Sequence, residues 1–230
     1  MHNKIKMVVF DMAGTTVDED NIVYKTLLKA INEAGFDFSL DQVLAEGAGK
    51  EKKQAIRSVL TVYANLENEG LVESIYENFK QQLDKAYERE EIVPQKNAEK
   101  LFQVLKEQDI LVVLNTGYDR LTAQSIIDKL GWKEGKQIDG LVTASDVPKN
   151  RPYPDMIHFA MKRFNIVDSK QVAKIGDSTI DIEEGQNAGC GLTIGITTGA
   201  HTAEQLESAH PDKIIGDLID VLSLLDNVPA

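Results

Sequence analysis

The 230-residue chain contains a single cysteine, Cys190. No intrachain disulfide can form, and a reducing, cytoplasmic setting is the expectation. Basic residues fall short as well: 25 lysines and arginines against 37 aspartates and glutamates leave a net charge of −12. A surface of that sign repels polyanions. This argues against general binding to nucleic acid or to an acidic membrane, but not against a small anion held by local basic groups. No apolar run approaches the ~20 residues that span a bilayer, and no signal-like segment opens the chain. The four histidines, His2, His158, His201 and His210, have no metal-ligand spacing. Internal repeats and low-complexity tracts are missing too. What is there, 42% hydrophobic and 27% charged residues, is the composition of an ordinary globular protein.

The apolar pattern divides the chain into two styles. Residues 4–10 form a short β-rich run that reads as a buried strand ending at Asp11. Helical spacing then takes over. One helix runs from Ile22 toward Gly35, and Ser39 reads as the N-cap of a second. After a break at Gly47-Ala48-Gly49, helices are expected near residues 50–63 and 71–87. The charged residues 88–91 and Pro94 mark a hinge. Beyond it, helices alternate with strands at 110–114, 140–143, 172–175, 191–196 and, weakly, 213–215. Alternating βα units predict a doubly wound parallel sheet with helices on both faces, interrupted after its first strand by an all-helical insert. Cys190 and Trp132 are expected to be buried.

Four loops follow strands and carry groups suited to a phosphoryl ligand: residues 11–16, 115–118, 149–154 and 176–181. In a doubly wound sheet the carboxyl ends of neighbouring strands open on one crevice. Asp11 can attack phosphorus in line and form an aspartyl-phosphate. Asp177 and Asp181 can hold Mg²⁺, which prefers few carboxylates, several waters and substrate oxygens. The Thr116 hydroxyl and the Gly117 N–H can donate to phosphoryl oxygens, and Arg151 can offset transition-state charge. Tyr118 is a further candidate for substrate contact.

Asp11-Met12-Ala13-Gly14-Thr15, Asn115-Thr116-Gly117, Arg151-Pro152 and Gly176-Asp177-Ser178-Thr179-Ile180-Asp181 resemble the four motifs of the haloacid dehalogenase superfamily, in their usual order. The resemblance implies a Rossmann-like core, residues 1–17 and 93–230, and a small helical cap, residues 18–92. It also implies Mg²⁺ held by Asp11, Asp177, Asp181 and the Ala13 carbonyl. Asp11-x-Ala13-Gly14-Thr15-Thr16-Val17-Asp18, with Thr116-Gly117-Tyr118, looks most like the phosphonatase group. Phosphatases of the superfamily carry an acid where this chain has Ala13, beside the substrate. General acid–base help is typically worth ~10²–10⁴-fold, so its loss calls for another device.

In phosphonatases that device is a cap lysine that forms an imine with an aldehyde, and Lys50 stands at its position. An ordinary lysine, with a pKa of ~10.4, must be shifted downward to react near pH 7. Lys52 and Lys53 would push Lys50 down, and Glu46 and Glu51 would push it up. Lys50, Lys53 and Arg57 fall at helical spacing and also fit a solvated helix face, or a stripe that binds substrate anion without imine chemistry. The expected partner is a small phosphorylated or phosphonate substrate, and a homodimer is left open. Two other readings stand beside this one: an ordinary small-metabolite phosphatase, and a non-catalytic phosphate-binding or phospho-acceptor module.

Overall fold

The computed structural model describes residues 4–89 and 91–225. The first strand, β1 (Met7–Phe10), is shorter than the apolar run suggested, because pairing begins at Met7. A two-residue strand, β2 (Val17–Asp18), follows the Asp11 loop. The helices α1 (Ile22–Glu33), α2 (Leu40–Gly47), α3 (Lys52–Ala64) and α4 (Glu69–Arg89) come next. Ser39 caps α2 with a reciprocal capping box to Gln42, as its position predicted. Strand β3 (Val93–Pro94) pairs antiparallel with β2, so a two-stranded ribbon joins the helical segment to the rest. Two-residue strands have no period to detect, so the apolar pattern does not announce them. The expected hinge lies partly within α4, which continues to Arg89; Glu90, like His2, falls outside the described residues.

From there the chain alternates through α5 (Ala98–Glu107), β4 (Leu111–Thr116), α6 (Arg120–Lys129), β5 (Gly140–Thr143), α7 (Asp155–Arg163), β6 (Val172–Gly176), α8 (Thr179–Asn187) and β7 (Leu192–Ile196). A short helix, α9 (Ala203–Glu207), precedes β8 (Lys213–Ile215) and α10 (Val221–Leu225). The six-stranded sheet is parallel throughout, in the order β5-β4-β1-β6-β7-β8. The chain first winds outward from β1 through β4 to β5, then returns to β6 on the other side. The switch in direction falls at β1, where such sheets open a crevice at their carboxyl ends. This is the Rossmann-like α/β fold.

Both faces of the sheet are covered. Side chains alternate along β1 with a period of two. Met7 and Val9 join Met156, Ile157 and Ala160 of α7 and the buried Cys190. Val8 and Phe10 join Phe102 and Leu105 of α5 and Trp132, in a cluster that continues into Leu27, Ile56, Leu60, Phe79 and Leu83 of the helical segment. One continuous core therefore ties the insert to the sheet. No helix among the described residues is long and apolar enough to cross a membrane.

Candidate active site

Asp11 is the first residue after β1, and its N–H still donates to the Ile175 carbonyl of β6. Thr116 ends β4, Asp177 follows β6, and Asp181 lies in the first turn of α8. Arg151 reaches in from the loop between β5 and α7. Carboxylate oxygens of Asp11, Asp177 and Asp181 all lie within 4.8 Å of one another, and all three residues are buried. The Arg151 guanidinium meets Asp11 at 2.7 Å, Asp181 at 3.1 Å and Glu184 at 2.9 Å, and donates to the carbonyl and side-chain oxygens of Asn115.

Two members of this network, Lys174 and Glu184, were not expected from the sequence, and Asn115 was expected only as part of its strand-end motif. Lys174, inside β6 and fully buried, donates to Asp181 at 2.7 Å and to Asn115 Oδ1 at 2.9 Å. Glu184 on α8 accepts from Arg151 Nε and from Asn115 Nδ2. Asn115 thereby links both cations to one carboxylate. Charged residues inside an otherwise apolar strand and helix face were the signal available. Such groups are seldom buried unless paired.

The electrostatics are uneven. Burial raises the Asp11 carboxyl, against the pull of Arg151. Asp181 is also penalised by burial, but Arg151 and Lys174 outweigh it and hold the group below its ordinary range. Asp177 is pushed well above its ordinary range, first by burial and then by the charges of Asp11 and Asp181. Its carboxylate accepts from Ala200 N–H at 2.6 Å and from Thr15 Oγ at 3.4 Å. No lysine or arginine among the described residues pairs with it. Three buried carboxylates, one of them uncompensated, fit a hard divalent cation with oxygen ligands.

The cap loop between α2 and α3 closes onto the strand ends. Tyr24 OH accepts from Gly49 N–H at 2.9 Å, and the Gly49 carbonyl accepts from Arg151 at 3.2 Å. Gly49 has φ +71°, and a Cβ there would stand 2.4 Å from Ser178 Oγ. On the core side, a Cβ at Gly117 would stand 2.7 Å from the Lys50 carbonyl oxygen. Two residues without side chains let main chain meet main chain at this closure. Beneath it is a small space of about 10 Å³, room for about one water. The core supplies Asp11, Ala13, Thr116, Gly117, Tyr118 and Arg151 to its lining; the cap supplies Tyr24, Gly49 and Lys52.

Only part of the expected stripe forms: Lys53 and Arg57 lie on α3, and Lys50 does not. Glu51 caps α3, so the helix begins at Lys52 and Lys50 precedes it. The Lys50 amine donates to Ser58 Oγ at 3.1 Å and does not line the enclosed space. Burial lowers its pKa, against Glu46 and Glu183. Lys53 pairs with Glu73 at 2.6 Å, and Arg57 pairs with Glu69 through two hydrogen bonds, so both tie α3 to α4. The cap amine that faces the space belongs to Lys52.

Residues 8–196 match the haloacid dehalogenase-like hydrolase family, and the chain belongs to that family. A phosphonoacetaldehyde hydrolase of Bacillus mycoides is 31% identical over 224 residues, covering 90% of this chain and 83% of that protein. A hydrolase from Pseudomonas syringae superposes with a TM-score of 0.85 at 19% identity, covering 98% of this chain and 100% of the other. A phosphonoacetaldehyde hydrolase-like protein from Oleispira antarctica gives 0.81 at 21% identity, covering 98% and 92%. The two structures share the fold. With the sequence relatives, the chain stands in the phosphonatase-like group of the family.

Proposed function

We propose that this protein is a Mg²⁺-dependent hydrolase of a small phosphonate or phosphorylated metabolite, and that it works through an aspartyl-phosphate on Asp11. One observation carries the reading. Asp11, Thr116, Arg151 and the Asp177–Asp181 pair converge at adjacent strand ends, while Ala13 leaves the site without an acid and the cap brings an amine into the same space.

Asp11 is the nucleophile. Asp11, Asp177, Asp181 and the Ala13 carbonyl would hold the cation, which supplies charge compensation for an anionic carboxylate meeting an anionic phosphoryl group. Arg151 is fixed by Glu184 and Asn115 and so offers its charge without reorganisation. Thr116 and the Gly117 N–H bind phosphoryl oxygens. Residues 18–92 act as a cap that excludes water when closed. The phosphonoacetaldehyde hydrolase among the relatives suggests a phosphonate with a neighbouring carbonyl. Such a substrate can leave as an enamine after imine formation and needs no acid at position 13.

A phosphate-ester reading gains from one fact: the lysine at the phosphonatase position, Lys50, has its amine on Ser58. A substrate panel decides between them. Turnover of phosphonoacetaldehyde with Mg²⁺, abolished in Asp11→Asn, is expected. Turnover of phosphate esters alone would favour an ordinary phosphatase. Phosphate and Mg²⁺ binding with no turnover would favour a binding module.

A further inference from the structure

Helix α3 opens with a charged residue on its buried face. Lys52 shares that face with Ile56, Val59 and Leu60, at intervals of four, seven and eight residues. It is only 5% exposed. A buried ammonium is costly unless paired, and this one makes no ion pair among the described residues. Its one hydrogen bond among them is to the Lys50 carbonyl at 3.1 Å, and it lies over the rings of Tyr24 and Tyr118, 4.7 and 4.9 Å from their centroids. The rings favour the cation, but they leave the amine's remaining valences unused beside the space that Asp11 lines.

A second buried group sits in the same layer. Glu19, 2% exposed, accepts from Tyr118 OH at 3.0 Å and from Tyr87 OH at 2.9 Å. Tyr118 thus touches Glu19 with its hydroxyl and Lys52 with its ring face. Burial brings Lys52 down to about 8, against the charges of Glu19, Asp11 and Glu51 and with that of Arg151. Burial brings Glu19 up to about 7, against the Tyr87 and Tyr118 hydroxyls and Lys52. Two titratable groups moved toward neutrality in a closed site are a pattern of acid–base work.

We propose that Lys52 is the catalytic amine on the leaving-group side of this site and that Glu19, acting through Tyr118, is its positioning residue. This rests on the hydrolase reading above and names the residue that stands in for the acid missing at Ala13. With a carbonyl-bearing phosphonate, the Lys52 lone pair adds to the carbonyl carbon, and the carbonyl oxygen takes one proton from the amine and one from solvent and leaves as water, giving an iminium. An Asp11 oxygen then bonds phosphorus while the C–P bond breaks. The C–P electron pair forms the C=C bond of an enamine as the iminium nitrogen becomes neutral. Protonation of the enamine carbon and hydrolysis release the aldehyde and return Lys52. A second water hydrolyses the acyl phosphate. At pH 7 an amine titrating near 8 is about 10% neutral, against ~0.03% for one at 10.5, roughly a 300-fold gain in nucleophile.

The first test uses wild-type protein: borohydride trapping with phosphonoacetaldehyde, then mass mapping of the adduct. An adduct on Lys52 is expected; an adduct on Lys50, or none, overturns the proposal. Lys52→Met, which puts an apolar chain of similar length on an apolar face, should fold and lose at least 100-fold in kcat. Lys52→Arg should not restore it. Lys52→Met with wild-type kcat, alongside an inactive Asp11→Asn, overturns this inference and leaves the hydrolase reading standing.

For Glu19 the readout is the pH profile. The rate needs neutral Lys52, so it rises with pH toward 8. Glu19→Gln removes an anion that favours the ammonium, so this rise should move to lower pH; Glu19→Asp should bring it back. A lower kcat with an unmoved profile would reduce Glu19 to a structural part.

Discussion

Glu184 offers a direct test of how the site is assembled, because it touches no substrate in the proposed scheme and yet fixes Arg151. Its carboxylate is fully buried and accepts from Arg151 Nε at 2.9 Å and from Asn115 Nδ2 at 3.0 Å on each oxygen, with Lys174 at 3.6 Å. In Glu184→Gln the remaining carbonyl can still serve Arg151 and Asn115, but the contacts become neutral on the acceptor side. Hydrogen bonds to charged groups are worth ~1.5–3 kcal/mol and neutral ones ~0.5–1.5, so the expected loss is about 1–3 kcal/mol. For a chain of this size that lowers Tm by roughly 2–12 °C. Glu184→Ala removes the partner altogether, and breaking a buried pair costs ~3–5 kcal/mol. The catalytic effect is separate. With Nε released, the guanidinium is held, among the described residues, through Asp11, Asp181, Asn115 and Gly49. A misplacement near 1 Å can cost ~10²-fold. Thermal unfolding and steady-state kinetics on the wild type, Gln and Ala variants measure both. If Glu184→Gln keeps its Tm within 1 °C and its kcat within twofold, the carboxylate is not what positions Arg151.

Other expected outcomes follow from the same geometry. Glu19 titrates near 7 when folded and near 4.5 when free. Its raised folded pKa contributes stability below pH 4.5 that is lost as pH rises through 7, by at most about 3 kcal/mol, and urea titrations of Glu19→Gln should show that slope removed. Gly49→Ala places a Cβ 2.4 Å from Ser178 Oγ at a left-handed residue, so kcat/KM should fall at least tenfold while stability changes by about 1 kcal/mol. Chelation should stop turnover and Mg²⁺ should restore it. At 100 times its Kd the ion should add about 2.7 kcal/mol to stability, a gain that Asp177→Asn should lose in a thermal shift assay.

The sequence made the core legible because parallel strands, buried on both faces, are unbroken apolar runs, and the polar residue ending each run marks the crevice. Asp11, Thr116 and Asp177 could be placed in this way. Arg151 could be placed only by its loop. Lys174, Glu184 and the linking role of Asn115 were missed because the partners are distant in sequence: Lys174 meets Asn115 across 59 positions and Glu184 meets it across 69. The cap was harder. Its four helices were readable, but α3 begins at Lys52 rather than Lys50. A residue turns a helix by ~100°, so the stripe through Lys50, Lys53 and Arg57 and the buried face through Lys52, Ile56 and Leu60 are different sides of the same segment. A lysine in phase with three buried apolar residues was the available clue. Glu19 gave none, because its partners Tyr87 and Tyr118 lie 68 and 99 positions away.

On the proposed mechanism, Ala13 and Lys52 together explain why this site has to close. An acid beside the nucleophile, on the core, would leave much of the chemistry available with the cap open. Here the amine lining the space, the only one among the described residues, arrives on α3, and the loop before it packs main chain to main chain against Gly117 and carries Gly49 to Ser178. The phosphoryl machinery belongs to the core and the leaving-group machinery to the cap, so neither half performs the proposed reaction alone. In the form seen here the space measures only about 10 Å³, room for about one water. On the proposed scheme the cap must therefore part to admit a substrate and close again to bring Lys52 to the leaving group, and a substrate too long to let it close would keep Lys52 away.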